Sequence, residues 1–481
     1  MMLHSLRKIT PLALALSAAL LLSACAGFMP PTQVESSIAP SWQAPLPHQG
    51  NVSNLAHWWQ GQGDPLLVEL ITAAQAVSPS VSQSSARIEA ARANQALARS
   101  ALLPNVSAQV GVSRGVSLPS IPVATTSQIG LQAAWELDVV GANRAVSNAA
   151  VANLEGSQAQ WHDARVSVAA EVANLYYSLS SCTQQLSLAQ RDAASRAETA
   201  RLTEINAKVG FLAPSLAAMA RASAADGKSR VTQQSAQCDI DTKALVALTA
   251  IPEPDLKQKL AVAQVKPAQA APISIASVPA QTITQRPDVF AAERDVVVAS
   301  AQVGSAKAQR FPRLSLNGSI GAMRVSSGGV DQDVSTWSFG PLAVSLPLFD
   351  GGQRVAAVKS AEANYAATVA VYRGKVRNAV REVEEALVNL QSTESRALDA
   401  KVSTQGYTES WAATQSRVGQ GLASVVELDD ARRTALASES AQLALGLERN
   451  RAWVSLYRAL GGGFEPATAA VATANPTTPA Y

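Results

Sequence analysis

Asn105-Val106-Ser107-Ala108-Gln109-Val110-Gly111-Val112-Ser113-Arg114 sets Val106, Ala108, Val110 and Val112 on one face of an extended chain and Ser107, Gln109, Gly111 and Ser113 on the other. Strand side chains alternate with a period of two, so this run predicts a β-strand with one apolar and one polar face. After a Pro- and Thr-containing loop at 115–126, Ile129, Leu131, Ala133, Trp135 and Leu137 again share a face, and the two runs predict a hairpin. On either side the period becomes helical. Upstream, Trp58-Trp59 and then Asp64-Pro65-Leu66-Leu67 open a helical pattern that continues to about Ala101, with Pro79 its only internal proline. Downstream of Gly141, only Gly156 interrupts the pattern before Gly210, and one helix over 142–209 would reach on the order of 100 Å. Along it Trp161, Ala164, Val168, Val172, Leu175, Leu179, Cys182, Leu186 and Ala189 step by three or four, a coiled-coil spacing that requires a partner helix. The turn Val209-Gly210-Phe211-Leu212-Ala213-Pro214 supplies one by sending a second helical run back over 215–250.

The second half repeats this plan. Arg286-Pro287-Asp288-Val289 starts a helix, with proline suited to its first position and aspartate to its first turn, and the pattern runs to Arg310. Phe311-Pro312 matches Leu103-Pro104, and over 313–322 Leu314, Leu316 and Ile320 oppose Ser315, Asn317 and Ser319 as a third strand. A fourth strand, 337–348, changes phase at Gly340-Pro341, which calls for a bulge or kink. Gly351-Gly352-Gln353-Arg354 then opens a long helix, as Gly141-Ala142-Asn143-Arg144 does, with Val376, Val380, Val383, Leu387 and Leu390 as its seam. Pro104 and Pro312 lie 208 residues apart, Arg144 and Arg354 210, and Gly210 and Gly421 211. A duplication of about 210 residues therefore covers nearly the whole chain. The expected organisation is a tether at 25–60, a first repeat at 61–250, a Pro-, Ala- and Gln-rich linker at 251–285, a second repeat at 286–464 and a tail at 465–481.

At the front of the chain, Arg7 and Lys8 precede an apolar stretch and then Leu22-Ser23-Ala24-Cys25. That order predicts a signal peptide over 1–24 and resembles a lipobox, which would leave Cys25 as a mature N-terminus carrying diacylglycerol and an N-acyl chain. An ordinary signal peptide with an incidental cysteine is the alternative. Ala26 stands where the inner-membrane retention signal would have aspartate, which implies sorting to the outer membrane. After Cys25 no apolar run is long enough for a membrane helix, so any crossing must be made by strands. Charged residues make up 16% of the chain and the net charge is +3, so nothing points to a nucleic-acid partner.

Four strands of about ten residues suit an outer membrane when tilted, but an open four-stranded sheet leaves edges unpaired, so several protomers must combine to close a barrel. Trp58-Trp59, Asp64-Pro65-Leu66-Leu67, Arg286-Pro287-Asp288-Val289, Phe311-Pro312, Pro347-Leu348-Phe349-Asp350-Gly351-Gly352 and Ala459-Leu460-Gly461-Gly462-Gly463-Phe464, in that order, resemble the outer-membrane efflux protein (TolC-like) family over residues 25 to about 464. The resemblance is to the lipidated branch that serves resistance-nodulation-division pumps. It implies a mixed α and β membrane protein: a homotrimer whose 12-stranded barrel continues as a periplasmic α-helical barrel of coiled-coil hairpins. It also implies a passive exit duct for small molecules such as drugs, anchored in outer-membrane lipid and reached from an inner-membrane pump through a periplasmic adaptor (membrane fusion) protein. A type I protein secretion channel, a periplasmic adaptor lipoprotein and a structural coiled-coil lipoprotein are the competing readings; the duplicated, membrane-length strands argue against the last two.

By resemblance, the hairpin turns meet the adaptor: Gly210, Phe211, Leu212 and Ala213 in the first repeat, Gly419, Gly421, Leu422, Ala423 and Ser424 in the second. Glu427 and Asp430 follow the second turn one helical turn apart, so they share a face and in a trimer would make two acidic rings, which the resemblance implies constrict the pore and attract cations. Solvated surface acids are the alternative. Leu216 and Met219 hold the equivalent places in the first repeat, so a charged gate would come from one hairpin only. Cys182 and Cys238 each lie 28 residues from Gly210, a symmetry that sets them level across an antiparallel hairpin and makes a disulfide plausible, against two buried thiols. His48, His57 and His162 are too scattered for a metal or a catalytic triad, and Gly227-Lys228-Ser229 lacks the first glycine of a phosphate loop and sits within a helix. Asp331 and Asp333 are read as solubilising the external loop between strands three and four, with contact to a cation as the alternative. The chain is expected to be no enzyme and to need no cofactor beyond the lipid on Cys25.

Overall fold

The computed structural model describes residues 29–35, 42–44, 58–116, 123–262, 283 and 286–464. The signal segment 1–24, Cys25, the centre of the 251–285 linker and the 465–481 tail lie outside these residues. The chain divides into two compact units, one built from Met1–Ser36, Ala86–Gln158 and Ala291–Gly374, the other from Ser37–Ser85, Ala159–Phe290 and Lys375–Tyr481.

The first unit carries the strands. β1 (Asn105–Gly115), β2 (Ala124–Leu137), β3 (Arg313–Ser327) and β4 (Val330–Ser345) form one antiparallel sheet in that order. Its register turns the sequence alternation into two unlike faces. Cross-strand rows such as Ala108, Leu131, Ile320 and Trp337, or Val106, Ala133, Gly318 and Phe339, build an apolar face. On this face Val110 is 77% exposed, Trp337 79% and Phe339 82%. The opposite face carries Ser107, Gln109, Gln132, Asn317, Ser319 and Ser338, with hydrogen bonds Gln109 to Gln132 and Ser319 to Ser338 at 2.8 Å each. Apolar rows extend along β2 from Ile129 to Leu137, about 27 Å of strand at ~3.4 Å per residue, or about 20 Å of height at a tilt near 40°. Gly130 and Gly321 face each other across β2 and β3, where a Cβ on Gly321 would come within 2.6 Å of the Ile129 carbonyl oxygen.

Three strand expectations need correction. β2 begins at Ala124, inside the expected loop, and β3 and β4 meet at a two-residue turn, Gly328-Gly329, with both φ values positive. Asp331 and Asp333 are therefore strand residues, not loop residues, and Arg324 donates to the Asp333 carboxylate at 2.6 and 2.8 Å. Polar rows at the end of an apolar strand face read as a loop in sequence, because the alternation stops before the hydrogen bonding does. β4 ends at Ser345, and its phase change is a register shift opposite Leu316 and Gly318, at the cis peptide Gly340-Pro341.

Among the described residues, helices precede, separate and follow the two strand pairs. α1 (Trp58–Gly61) precedes α2 (Pro65–Val77), which the Asp64 carboxylate caps by accepting from Leu66 N and Leu67 N at 3.1 and 3.2 Å. The expected single helix to Ala101 is broken: Ser78 is extended, as a residue before proline is driven to be, and α3 (Pro79–Ser100) starts afresh. α4 (Ala142–Lys208) and α5 (Pro214–Thr249) make the first hairpin; α7 (Pro287–Ala308) precedes β3; α8 (Gln353–Gly419) and α9 (Val425–Ala459) make the second hairpin. The linker is not structureless throughout, since α6 (Glu253–Val262) buries Leu256 completely. Each long helix is launched by an aspartate before the glycines: Asp138 accepts from Asn143 N and Arg144 N, and Asp350 from Gly352 N and Arg354 N. The arginine of each helix start returns to the same carboxylate.

The expected tether at 25–60 makes specific contacts in both units. In the first unit the Pro30 and Pro31 carbonyls accept from Ser300 Oγ at 2.6 Å and Tyr365 OH at 2.7 Å, and Met29 lies against Gly304, where a Cβ would be 2.4 Å from its Cγ. In the second unit Trp42 and Ala44 are buried, and the Glu384 carboxylate accepts from Gln43 N and Ala44 N. Proline-rich sequence without period looks like linker, but carbonyls with no helix to satisfy them are free to accept from side chains.

The second unit holds the main core. Trp58 and Trp59 pack on Tyr457, the first stacked at 4.9 Å between ring centroids. Leu67, Leu70, Leu245, Leu387 and Leu456 are fully buried around Ala173 and Tyr176, each leucine worth about 1.5–3 kcal/mol. The buried side of α4 is wider than the expected seam: Val166, Ala169, Ala170, Ala173, Tyr176 and Tyr177 are buried as well, because several elements surround α4 here. Tyr176 OH donates to Asp64 at 2.7 Å, and burial first, then this bond, pushes its phenol far above the ordinary range. Arg286, nearly buried, reaches Asp288, Glu382 and the Ala459 carbonyl, so the Arg-Pro-Asp helix start also pins the end of α9.

Candidate functional site

Both hairpins close by the same device. At the first, Gly210 has φ +82, its N–H reaches the Ala207 carbonyl, and Phe211 N reaches the Asn206 carbonyl. At the second, Gly421 has φ +75, its N–H reaches the Val418 carbonyl, and Leu422 N reaches the Arg417 carbonyl. This pair of bonds satisfies carbonyls that a helix C-terminus leaves open, and it needs the left-handed backbone that glycine accepts. The return helices differ. Ala213 offers α5 no side-chain cap and leaves Pro214 to start it, whereas Ser424 Oγ caps α9 through Glu427 N at 3.1 Å. Phe211 and Leu422 project from the two turns, 81% and 65% exposed.

Glu427 and Asp430 are both exposed on the first turns of α9. Their surroundings are unequal. Asp430 is ion-paired with Arg433, while Glu427 makes no ion pair among the described residues. Asp430 holds the Arg433 guanidinium above its ordinary range.

Between the hairpins lies a charge cluster that sequence reasoning missed. Asp192, Arg196 and Arg432 are all buried; Asp192 accepts from Arg196 Nε at 2.9 Å and lies 3.4 Å from Arg432 Nε. Arg196 also donates to Ser223 Oγ at 2.6 Å, and Arg432 pairs with Asp429. Burial lowers the Arg432 guanidinium below its ordinary range; Asp429 and Asp192 oppose that, and Arg196 and Arg433 add to it. Gly227 on α5 makes room, since a Cβ there would sit 2.9 Å from Arg196 Cδ. That glycine is therefore a packing position in the middle of a helix.

Above the tip, Cys182 on α4 and Cys238 on α5 form a disulfide with Cα atoms 5.6 Å apart, flanked by Leu179, Leu186 and Leu260. The bridge closes a loop with a sequence separation of 56, and reduction is expected to lower the stability of the hairpin by about 2–4 kcal/mol. Peptide mapping without reductant should yield one linked pair of peptides that separates on reduction; two free thiols would overturn the assignment. His162 packs between Trp161 and Phe464, and burial, then Arg165, lowers its pKa. Among the described residues there is no cluster of potential metal ligands, and no helix is long and apolar enough to cross a membrane.

A family model described as outer membrane efflux protein matches residues 70–250 and 278–462. The outer membrane protein OprJ of Pseudomonas aeruginosa is 30% identical, over 94% of this chain and 95% of its own length. The toluene efflux pump outer membrane protein TtgI of Pseudomonas putida is 28% identical, over 83% of this chain and 86% of its own. Among solved structures, the CmeC outer membrane channel of Campylobacter jejuni superimposes with a TM-score of 0.82 at 23% identity, covering 92% of this chain and 96% of that one.

Proposed function

The chain belongs to the outer membrane efflux protein family, and from that premise we propose that three copies close into one duct through the outer membrane and periplasm. It is an outer-membrane channel component of an efflux system. The observation that carries the assembly is the sheet: one apolar face, one polar face, and unpaired edges at β1 and β4. A single chain cannot present such edges to hydrocarbon, whereas three copies pair β4 of each with β1 of the next in a 12-stranded barrel. Lipid then covers the face bearing Trp337 and Phe339, and the face bearing Gln109 and Asn317 lines the conduit.

Cys25 carries the lipid that fixes the protein in the outer membrane of a Gram-negative cell. The turns at Gly210, Phe211, Leu212 and Ala213, and at Gly419, Gly421, Leu422, Ala423 and Ser424, meet a periplasmic adaptor, which links the duct to an inner-membrane resistance-nodulation-division pump. Phe211 and Leu422 suit that role because both are large, apolar and uncovered. Cargo is small molecules such as drugs, moved passively through the duct.

The constriction at the tip is made by Glu427, with Asp430 a weaker contributor because Arg433 offsets its charge. Planar-bilayer recordings test the duct and this gate together. Purified trimers should give discrete channels; Glu427→Gln should reduce cation preference at least twofold, and Asp430→Asn should change it less. Equal effects would discard the ranking, and well-folded trimers that never conduct would discard the duct.

A further inference from the structure

Where the hairpins converge, a cleft of about 420 Å³ opens between them, with Leu212, Leu216 and Met219 from the first and Val418 and Val425 from the second as its apolar walls. Its inner end is formed by Arg196, Arg432 and Asp429, members of the buried charge cluster. Two guanidiniums there stand against the two carboxylates of Asp192 and Asp429, so the inner end has no net charge to offer an ionic ligand. One hydrogen-bonding group in it is incomplete: Arg432 is 1% exposed, and its Nε–H makes no hydrogen bond, the Asp192 carboxylate oxygen 3.4 Å away giving an ion-pair contact alone. A buried donor left in that state is costly, and an acceptor brought by a ligand relieves it. The volume is that of a site for one drug-sized molecule; its walls are mainly apolar, with Thr199, Thr203, Asn206, Ser223 and Ser424 as neutral polar groups between them and the charged end.

We propose that this cleft is a binding site for a small, neutral, largely aromatic or aliphatic molecule carrying one oxygen acceptor, such as a diaryl ketone. Its apolar body lies against Met219 and Val425, and its oxygen points to the Arg432 end. Because the occupant touches both hairpins, it binds best when they are this close and shifts the population toward that arrangement. The site belongs to one protomer and needs no adaptor to complete it.

Benzophenone is a direct probe, since it has the size, neutrality and carbonyl required and attaches to nearby C–H groups under near-ultraviolet light. The full-length protein in phosphatidylcholine nanodiscs, without adaptor, is irradiated over a range of benzophenone concentrations and digested. Adducts on the apolar sheet face report partition into lipid and serve as the internal control. The expected result is a second, saturable set of adducts around 212–219 and 418–426, cut at least tenfold in Val426→Trp and in Ala220→Phe, both of which fill the cleft from its lining. Sheet adducts and circular dichroism should be unchanged in at least one of these variants. Diphenylmethane, the same frame without the oxygen, should compete at least tenfold less well than benzophenone binds. Tip adducts that are absent, rise without saturation or persist in a folded, filled variant would overturn the site. Equal competition by diphenylmethane would overturn the role of the acceptor.

Discussion

Replacing Asp192 with alanine is expected to destabilise the protein by roughly 3–5 kcal/mol, the range for removing one partner from a buried ion cluster. Asp192 is the carboxylate that Arg196 and Arg432 share, at 2.9 and 3.4 Å, and all three are buried. Without it two guanidiniums face each other across the hairpin interface, with Asp429 left to balance both. Asp192→Asn keeps the shape and loses the charge, so it should retain most of the defect. Arg432→Met should be milder: it leaves the Arg196–Asp192 pair intact, and Asp429 keeps Arg433 at 3.6 Å. Heat-induced unfolding of the purified protein, followed by circular dichroism, gives the order directly. A milder Asp192→Asn than Arg432→Met would mean that packing, and not charge balance, governs this contact.

Gly462→Val should be comparably damaging, roughly 2–5 kcal/mol, from overpacking and from a β-carbon held in the left-handed region. Gly462 has φ +59, in the left-handed region, and a Cβ there would meet Val166 Cγ2 at 2.4 Å and the Tyr457 hydroxyl at 3.0 Å. Val166 and Tyr457 are themselves buried in the main core, so neither can yield cheaply. The backbone strain and the clash can be separated. Val166→Ala should restore part of the loss in Gly462→Ala by making room, while the conformational part, about 1–2 kcal/mol, stays. Full rescue would show that φ is unimportant at this position; no rescue would show that the clash is.

What the sequence made legible follows from which interactions repeat along one element. Strand alternation at 105–114 and 313–322 located the sheet and its two faces, because each face meets a single environment. The equal spacing of Cys182 and Cys238 from Gly210 was readable because an antiparallel hairpin converts sequence distance into height. The outer reach of β3 and β4 was not readable, since Ser326, Asp331 and Asp333 are polar on the face that is apolar farther along the same strands. The cluster of Asp192, Arg196, Arg432 and Asp429 was hidden for a different reason. Acid and base four or three apart on a helix look like solvated surface pairs, and only the glycine at 227, on a third helix, records that one of those arginines is packed. The partner of Asp430 was hidden for the same cause, Arg433 lying one turn ahead on the same helix.

The Gly328-Gly329 turn has a consequence for how the protein would be seen from outside the cell. If β3 and β4 cross the outer membrane as proposed, this turn faces the exterior, and it exposes backbone where most surface loops expose side chains. An antibody or a phage receptor-binding protein would find little there to grip, and little that mutation could alter without losing the two positive φ values. Immune and phage recognition, and escape from either, would then concentrate on the neighbouring ends of β1 and β2, at Gly115 and Ala124.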